Sequence, residues 1–181
     1  VLVALLTSFM TLRAQDRQEY LGLPGDNLNL FAVMNLFQES ETLEGFERSL
    51  NDPELIVNNL DLNGDKYVDY IRVIDNMERN VHFIVLQVAI NPRENQDVAV
   101  FTVVQEKNGS VFVQLVGDEE LYGKDYIVEP IIDETPNPGY MGQKVNVQQV
   151  NVVRTTTYEI AAWPVIHFIF APSYVVWRSP W

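Results

Sequence analysis

The sequence predicts an α+β fold: a helical hairpin, then a four-stranded or larger antiparallel meander sheet, with a C-terminal apolar segment packed on it. Three observations carry this. Apolar residues recur every three or four positions between residues 30 and 50. The period then changes to strand-like runs rich in Val, Ile and Phe. Short turn clusters separate these runs, and short loops join sequential strands as hairpins.

The first helix follows the cap signal Gly25-Asp26-Asn27, with Leu30, Phe31, Met34 and Phe37 on one face and Val33 and Leu36 beside them. Thr42 is an N-cap residue for a second helix, with Glu44 in its first turn and Leu43, Phe46 and Leu50 as its stripe. Asn51-Asp52-Pro53 stops it. Four strand patterns follow: YVDYIRVID, VHFIVLQVAI, DVAVFTVVQE and SVFVQLVGD. The clusters NMERN, NPRENQ and KNGS separate them. Asn108-Gly109 suits a type I′ turn, since both residues tolerate positive φ. The second strand is apolar on both sides, with Phe83 and Val85 against Ile84, Leu86 and Val88. It is therefore expected mid-sheet, with the helices over one face and the C-terminal part over the other.

The chain of 181 residues is long enough for one domain with a sizeable core. We read residues 1–15 as a signal-peptide remnant, 16–135 as the α+β domain and 136–181 as a Pro/aromatic-rich C-terminal segment that continues beyond Trp181. The stretch VLVALLTSFMTLRAQ is apolar and too short to span a bilayer. Cleavage is expected after Ala14, giving a periplasmic or extracellular protein. No cysteine occurs, which excludes disulfides, thiolate metal sites and a bacterial lipid anchor.

The formal net charge is -13. A phosphate backbone or an anionic membrane surface is repelled by that charge, so nucleic acid is not an expected partner. Divalent cations and basic groups are favoured.

The stretch DLNGDKYVD puts Asp61, Asn63, Asp65 and Asp69 at positions 1, 3, 5 and 9 of a loop, with the Tyr67 carbonyl at position 7. Calcium takes six to eight hard oxygen ligands, and a tight loop supplies them from alternate residues. These five residues are the candidate metal ligands, and Ca²⁺ the candidate cofactor. Position 6 is Lys66 and position 12 is Arg72, so the loop is not an EF-hand. The competing reading is an Asn-Gly-Asp turn whose carboxylates cap backbone amides.

No phosphate loop, zinc-protease helix or nucleophile elbow occurs. His82 lies in a strand pattern and His167 in the apolar tail, and a satisfied structural role is expected of both. Asp118, Glu119, Glu120 and Asp125 cluster around Tyr122 and Tyr126. Such acids can run acid–base hydrolysis, or simply form a solvated turn. Residues 160–177 lack Asp, Glu, Lys and Arg. Pro164, His167 and Pro172 argue against a membrane span and for a buried or partner-contacting element. The aromatic residues Trp163, Tyr174 and Trp177, with Trp181 just beyond the segment, suit an envelope protein or glycan partner.

The loop DLNGDKYVD resembles the D-x-[DN]-G-D-x-x-x-D calcium loops between strands in integrin-type propellers and bacterial surface proteins. Together with LGLPGDNLNLFAVMNLFQESETLEGFERSLND, LQVAINPRENQDVAVF and LYGKDYIVEP, it makes residues 20–181 resemble a set of secreted Bacteroidota proteins without established activity. That resemblance implies secretion and recurrence of the acidic loop. The helix pair followed by a sheet is also similar in outline to small periplasmic inhibitor-like α+β domains. From the residues, a non-enzymatic binding or envelope-interaction module is expected. A calcium-dependent hydrolase using the 118–125 acids and a structural domain without metal are the alternatives.

Overall fold

A computed structural model describes residues 21–130 and 157–181. Helices α1 (Leu30–Glu39) and α2 (Leu43–Leu50) form the expected hairpin. Five antiparallel strands follow in sequential order: β1 (Ile71–Glu78), β2 (Val81–Asn91), β3 (Glu94–Gln105), β4 (Val111–Gly117) and β5 (Ile127–Val128). A short helix α3 (Glu119–Tyr122) lies between β4 and β5. Helices α4 (Thr157–Ala161) and α5 (Pro164–Ile169) come last. The proposed boundary at 135/136, marked by Pro136, Pro138 and Gly139, and the signal segment 1–15 lie outside the described residues.

The cap of α1 differs from the expected one. Residues Pro24–Asn27 form a 3-10 turn of their own, and Asn29 caps the helix by accepting from the Phe31 and Ala32 amides. The buried face is Leu30, Val33, Met34 and Phe37. Phe31 is turned outward and 54% exposed. Thr42 caps α2 as expected, through the Gly45 amide.

One face of the sheet carries the core. Ile71 and Val73, then Ile84 and Leu86, then Phe101 and Val103, then Val113 and Leu115 are buried along it. At its centre Phe37 stacks on Phe101 at 4.3 Å, and Phe46 meets both rings edge-on. These three rings couple both helices to β3.

The two faces of β2 differ in burial. His82, Ile84, Leu86 and Val88 are buried, while Phe83 and Val85 on the other side are only half-buried. The described C-terminal residues pack on the helical side. Phe170 meets the His82 ring, and the Tyr174 hydroxyl donates to Asp75 on the same face. Ile160, Trp163, Val165, Ile166 and Ile169 join the single core. They satisfy their apolar surface next to α1 and do not cross to the second face.

The β3–β4 turn also differs. Gly109 alone takes a left-handed φ, of 88°. Its amide donates to the Glu106 carbonyl, and the Glu106 amide to the Ser110 carbonyl. This is a turn over 106–109 closed by a left-handed Gly, one of the common longer hairpin loops. The Asn108 side chain accepts from Ser110 instead of adopting positive φ itself. The β2–β3 turn is tighter than NPRENQ suggests, because Asn91 already pairs with Glu94.

Because Phe101 touches both helices, Phe101→Ala is expected to cost about 3–5 kcal/mol through lost burial and a residual cavity. Phe112→Ala, at a side chain 45% exposed, is expected to stay within about 1 kcal/mol. Urea unfolding of the two variants checks the contrast.

Candidate functional site

The acidic loop precedes β1 and is organised by its own side chains. Asp61 accepts from the Gly64 amide at 2.8 Å and the Lys66 amide at 3.0 Å. Asn63 accepts from the Asp65 amide, and Asp65 from the Tyr67 amide, each at 2.8 Å. Gly64 and Lys66 take left-handed φ values of 76° and 71°. The turn therefore bends at the sixth position as well as at its Gly. For Lys66 this conformation costs roughly 1–2 kcal/mol, offset by the amide bonds that fix it.

Asp69 behaves differently from the other four candidate ligands. It is buried, and its carboxylate accepts from the Leu62 amide and the Asn63 side-chain amide. It latches the end of the loop onto its beginning. Asp61, Asn63, Asp65 and Tyr67 stand exposed. Carboxylate oxygens accept two hydrogen bonds or ligate while accepting one. Each oxygen of Asp61 accepts one amide, which leaves capacity for a cation. Among the described residues, no group of three or more His, Asp or Glu side chains forms a ready metal cluster. A cation here would draw on the Asn63 amide oxygen, the Tyr67 carbonyl and water as well.

The strand pattern that opens at Tyr67 becomes a strand only from Ile71. The loop's bonds delay it: the Asp69 amide donates to the Leu60 carbonyl, and the Asn58 side chain donates to the Asp69 carbonyl. Tyr67 and Val68 are left in solvent, 78% and 58% exposed.

Beside the loop lies a groove of about 330 Å³. Asn51, Asn58 and Asp69 are among the residues that form its floor, and Ile56, Val68 and Tyr70 its exposed rim. Ile56 is 70% exposed and sits at φ 52°. A β-branched residue in that region carries strain of order 1–3 kcal/mol, and such strain concentrates at functional sites. Trp181, 77% exposed, lies 6.3 Å from the Tyr70 ring.

The other tail aromatics are used internally. Trp163 is buried, whereas Tyr174 and Trp177 are half-buried with polar atoms engaged. Tyr174 donates to Asp75 at 2.7 Å, and the Trp177 indole to Glu47 at 3.4 Å. The segment forms a strap along the open edge of β1. The Asp75 amide donates to the Trp177 carbonyl and the Ser179 amide to the Val73 carbonyl.

Two buried carboxylates anchor this strap, and sequence reasoning passed over both. Glu47, 2% exposed, accepts from Tyr70 and Ser179 on one oxygen and from Val73 and Trp177 on the other. Asp75 pairs with His82 Nδ1 at 2.7 Å, both fully buried. The spacing carried a signal. Glu47 falls on the stripe of Leu43, Phe46 and Leu50, and Asp75 continues the inward alternation of Ile71 and Val73. The expected structural role of His82 holds for Nδ1, while Nε2 finds no hydrogen-bond partner among the described residues. His167 is exposed.

Only two of the four 118–125 acids meet at one site. Asp118 caps α3 by accepting from the Glu120 amide. It lines a depression of about 300 Å³ with Glu119 and, from β3, Asp97. Glu120 and Asp125 stand outside it.

No protein-family model, curated protein or solved structure matches this chain. No helix among the described residues is long and apolar enough to cross a membrane.

Glu47→Leu leaves the buried Val73 amide unpaired and removes the strap's anchor. It is expected to cost about 3 kcal/mol in all and to speed amide exchange at residues 177–179. Glu47→Gln is expected to cost less, because the hydroxyls of Tyr70 and Ser179 can turn and accept.

The Tyr70 phenol is pushed up to about 12, first by burial and then by the Glu47 carboxylate that it bonds. Burial likewise raises Tyr122 and Tyr174. A raised folded value favours folding below the unfolded value of 10 and loses that contribution as pH climbs toward 12. Stability is therefore expected to fall above pH 10, and less steeply in Tyr70→Phe, as followed by denaturant midpoints across that range.

Proposed function

We propose that the protein is an exported, non-enzymatic binding module whose contact surface is the groove beside the acidic loop, with that loop as a low-affinity calcium site. One observation carries the reading: exposed apolar and aromatic side chains gather at one polar groove, with Ile56 held there in a strained conformation. Exposed Ile, Val and Tyr around a concave polar floor, with Trp181 beside the Tyr70 ring, fit ligand contact better than solvation. The resemblance to secreted Bacteroidota proteins supports export and a periplasmic or extracellular location.

Calcium is supported by the ligand types and by the loop's bend at position 6. The side-chain caps of Asp61, Asn63 and Asp65 hold the turn that a cation would need. The expected affinity is that of extracellular modules, roughly 10⁻⁴ to 10⁻³ M. The groove and the loop share Val68 and Asp69, so an ion in the loop would stiffen one wall of the groove.

The second reading, a calcium-dependent hydrolase, draws on Asp97, Asp118 and Glu119 at one depression. Paired carboxyls from separate segments are what general acid–base hydrolysis needs. Asp118 also serves there as a helix cap, which ties it to structure.

Thermal melts in EGTA, Ca²⁺ and Mg²⁺ test the metal. At a free Ca²⁺ concentration of 100 times Kd, the expected stabilisation is about 2.7 kcal/mol. Mg²⁺ is expected to give less, because it demands a tighter octahedron. Asp61→Ala or Asp65→Ala should abolish the shift, and Lys66→Gly should raise melting in all three solutions by relieving the left-handed backbone. Identical melting in all three solutions would return the loop to a purely structural turn. Contact itself is tested with Trp181→Ala and Tyr70→Ala in pull-downs from envelope extract. Truncation of the tail is no substitute, since it removes the core residues Ile160, Trp163 and Ile166.

A further inference from the structure

We infer that the groove between residues 51 and 70 binds a neutral pyranose of a polysaccharide, with Trp181 and Tyr70 as its stacking edge. The inference rests on the binding-module reading above and names the ligand class.

The first support is shape and size. A groove of about 330 Å³ lies at the lower end of small-ligand sites and accommodates one sugar ring with part of its neighbour. A chain of rings can run past it, because the rim is open.

The second is the pairing of surfaces. A pyranose has apolar C–H faces and a hydroxyl-lined edge. Tyr70, 41% exposed, lines the groove, and the ring of Trp181, 77% exposed, lies 6.3 Å from it at a tilt of 56°. Flat aromatic surfaces stack on the C–H face, and a ring loses little entropy on being fixed. Ile56 and Val68 extend the apolar rim.

The third is the character of the polar groups. Sugar hydroxyls both donate and accept, and side-chain amides answer both needs. Asn51, Asn58 and Asn59 line the groove. Asn51 is fully committed to the Glu47 and Ile71 backbones. Asn58 donates one of its two N–H groups, to the Asp69 carbonyl, and keeps the second. The Asn59 oxygen and one Asp52 oxygen accept no hydrogen bond from the described residues, Asp52 using its other oxygen on the Glu54 amide. The groove thus offers a donor and two acceptors held on fixed backbone.

Charge narrows the class. Asp52 and Asp69 at the groove and a net charge of -13 repel acidic sugars and phosphorylated ligands. A cationic peptide would need exposed carboxylates, but Asp69 is buried and each of its oxygens already holds a hydrogen bond, from Leu62 or from Asn63. Only Asp52 remains for it within the groove. A ligand without charge fits this balance best.

The test uses the full chain and intrinsic tryptophan fluorescence, with binding repeated by calorimetry. The probes are maltopentaose, cellopentaose and mannopentaose, with pentalysine as a cationic peptide and a galacturonic acid pentamer as an acidic glycan. At least one neutral pentasaccharide is expected to bind. Trp181→Ala and Asn59→Ala are each expected to weaken it about tenfold, with unchanged melting temperature, while Lys107→Ala on the far hairpin leaves it unaltered. Binding of pentalysine without any neutral sugar would overturn the sugar assignment and leave the binding-module reading standing. Binding of the acidic pentamer alone would do the same. Neutral-sugar binding that survives both Trp181→Ala and Asn59→Ala would overturn the groove as its site. Failure of every probe to bind overturns the inference, and loss of envelope capture in the same preparation would take the binding-module reading with it.

Discussion

The Glu47 carboxylate is the point through which the structure holds together. It sits on α2, 2% exposed, and a buried charge is tolerable only when its lone pairs are used. Here four donors use them: the Val73 amide of β1, the Tyr70 hydroxyl, the Trp177 indole and the Ser179 hydroxyl. The helical hairpin, the first strand and the C-terminal strap are therefore joined at one acceptor. Asp75, two residues along the same strand face from Val73, holds His82 and Tyr174 on one oxygen, while its other oxygen finds no partner among the described residues. The open edge of β1 is thereby closed by the chain's own tail, which removes a template for pairing with other chains.

This anchoring explains why the exposed surfaces lie where they do. The strap spends Tyr174 and Trp177 on buried carboxylates and delivers Trp181 beside Tyr70. The acidic loop spends its side chains on its own amides and delivers Val68 and Tyr70 to the groove rim. Both segments are fixed by polar contacts rather than by deep apolar packing. Their exposed apolar residues are then free to meet something outside the chain. The strained backbone of Ile56 is held between Asp52 and Asn58, whose side chains bond locally to Glu54 and to the loop.

The sequence by itself determined the helix pair, the order and antiparallel pairing of the strands, and the local shape of the acidic loop. All of these rest on short-range physics. Helical periodicity places Val33, Met34 and Phe37 together, strand alternation places Ile71 and Val73 together, and the Asp61, Asn63 and Asp65 caps reach no further than five residues. Boundaries were less legible where two local signals compete, as with Asn29 displacing the Gly25-Asp26-Asn27 cap. Only the tertiary structure decided the rest, because it depends on contacts made across long stretches of chain. Glu47 meets Ser179 across 132 residues and Tyr174 meets Asp75 across 99. No periodicity distinguishes an acid destined for four buried donors from one on a solvated stripe. Nor can spacing say which of four tail aromatics remains outside, since that depends on how many buried acceptors the folded core presents to them.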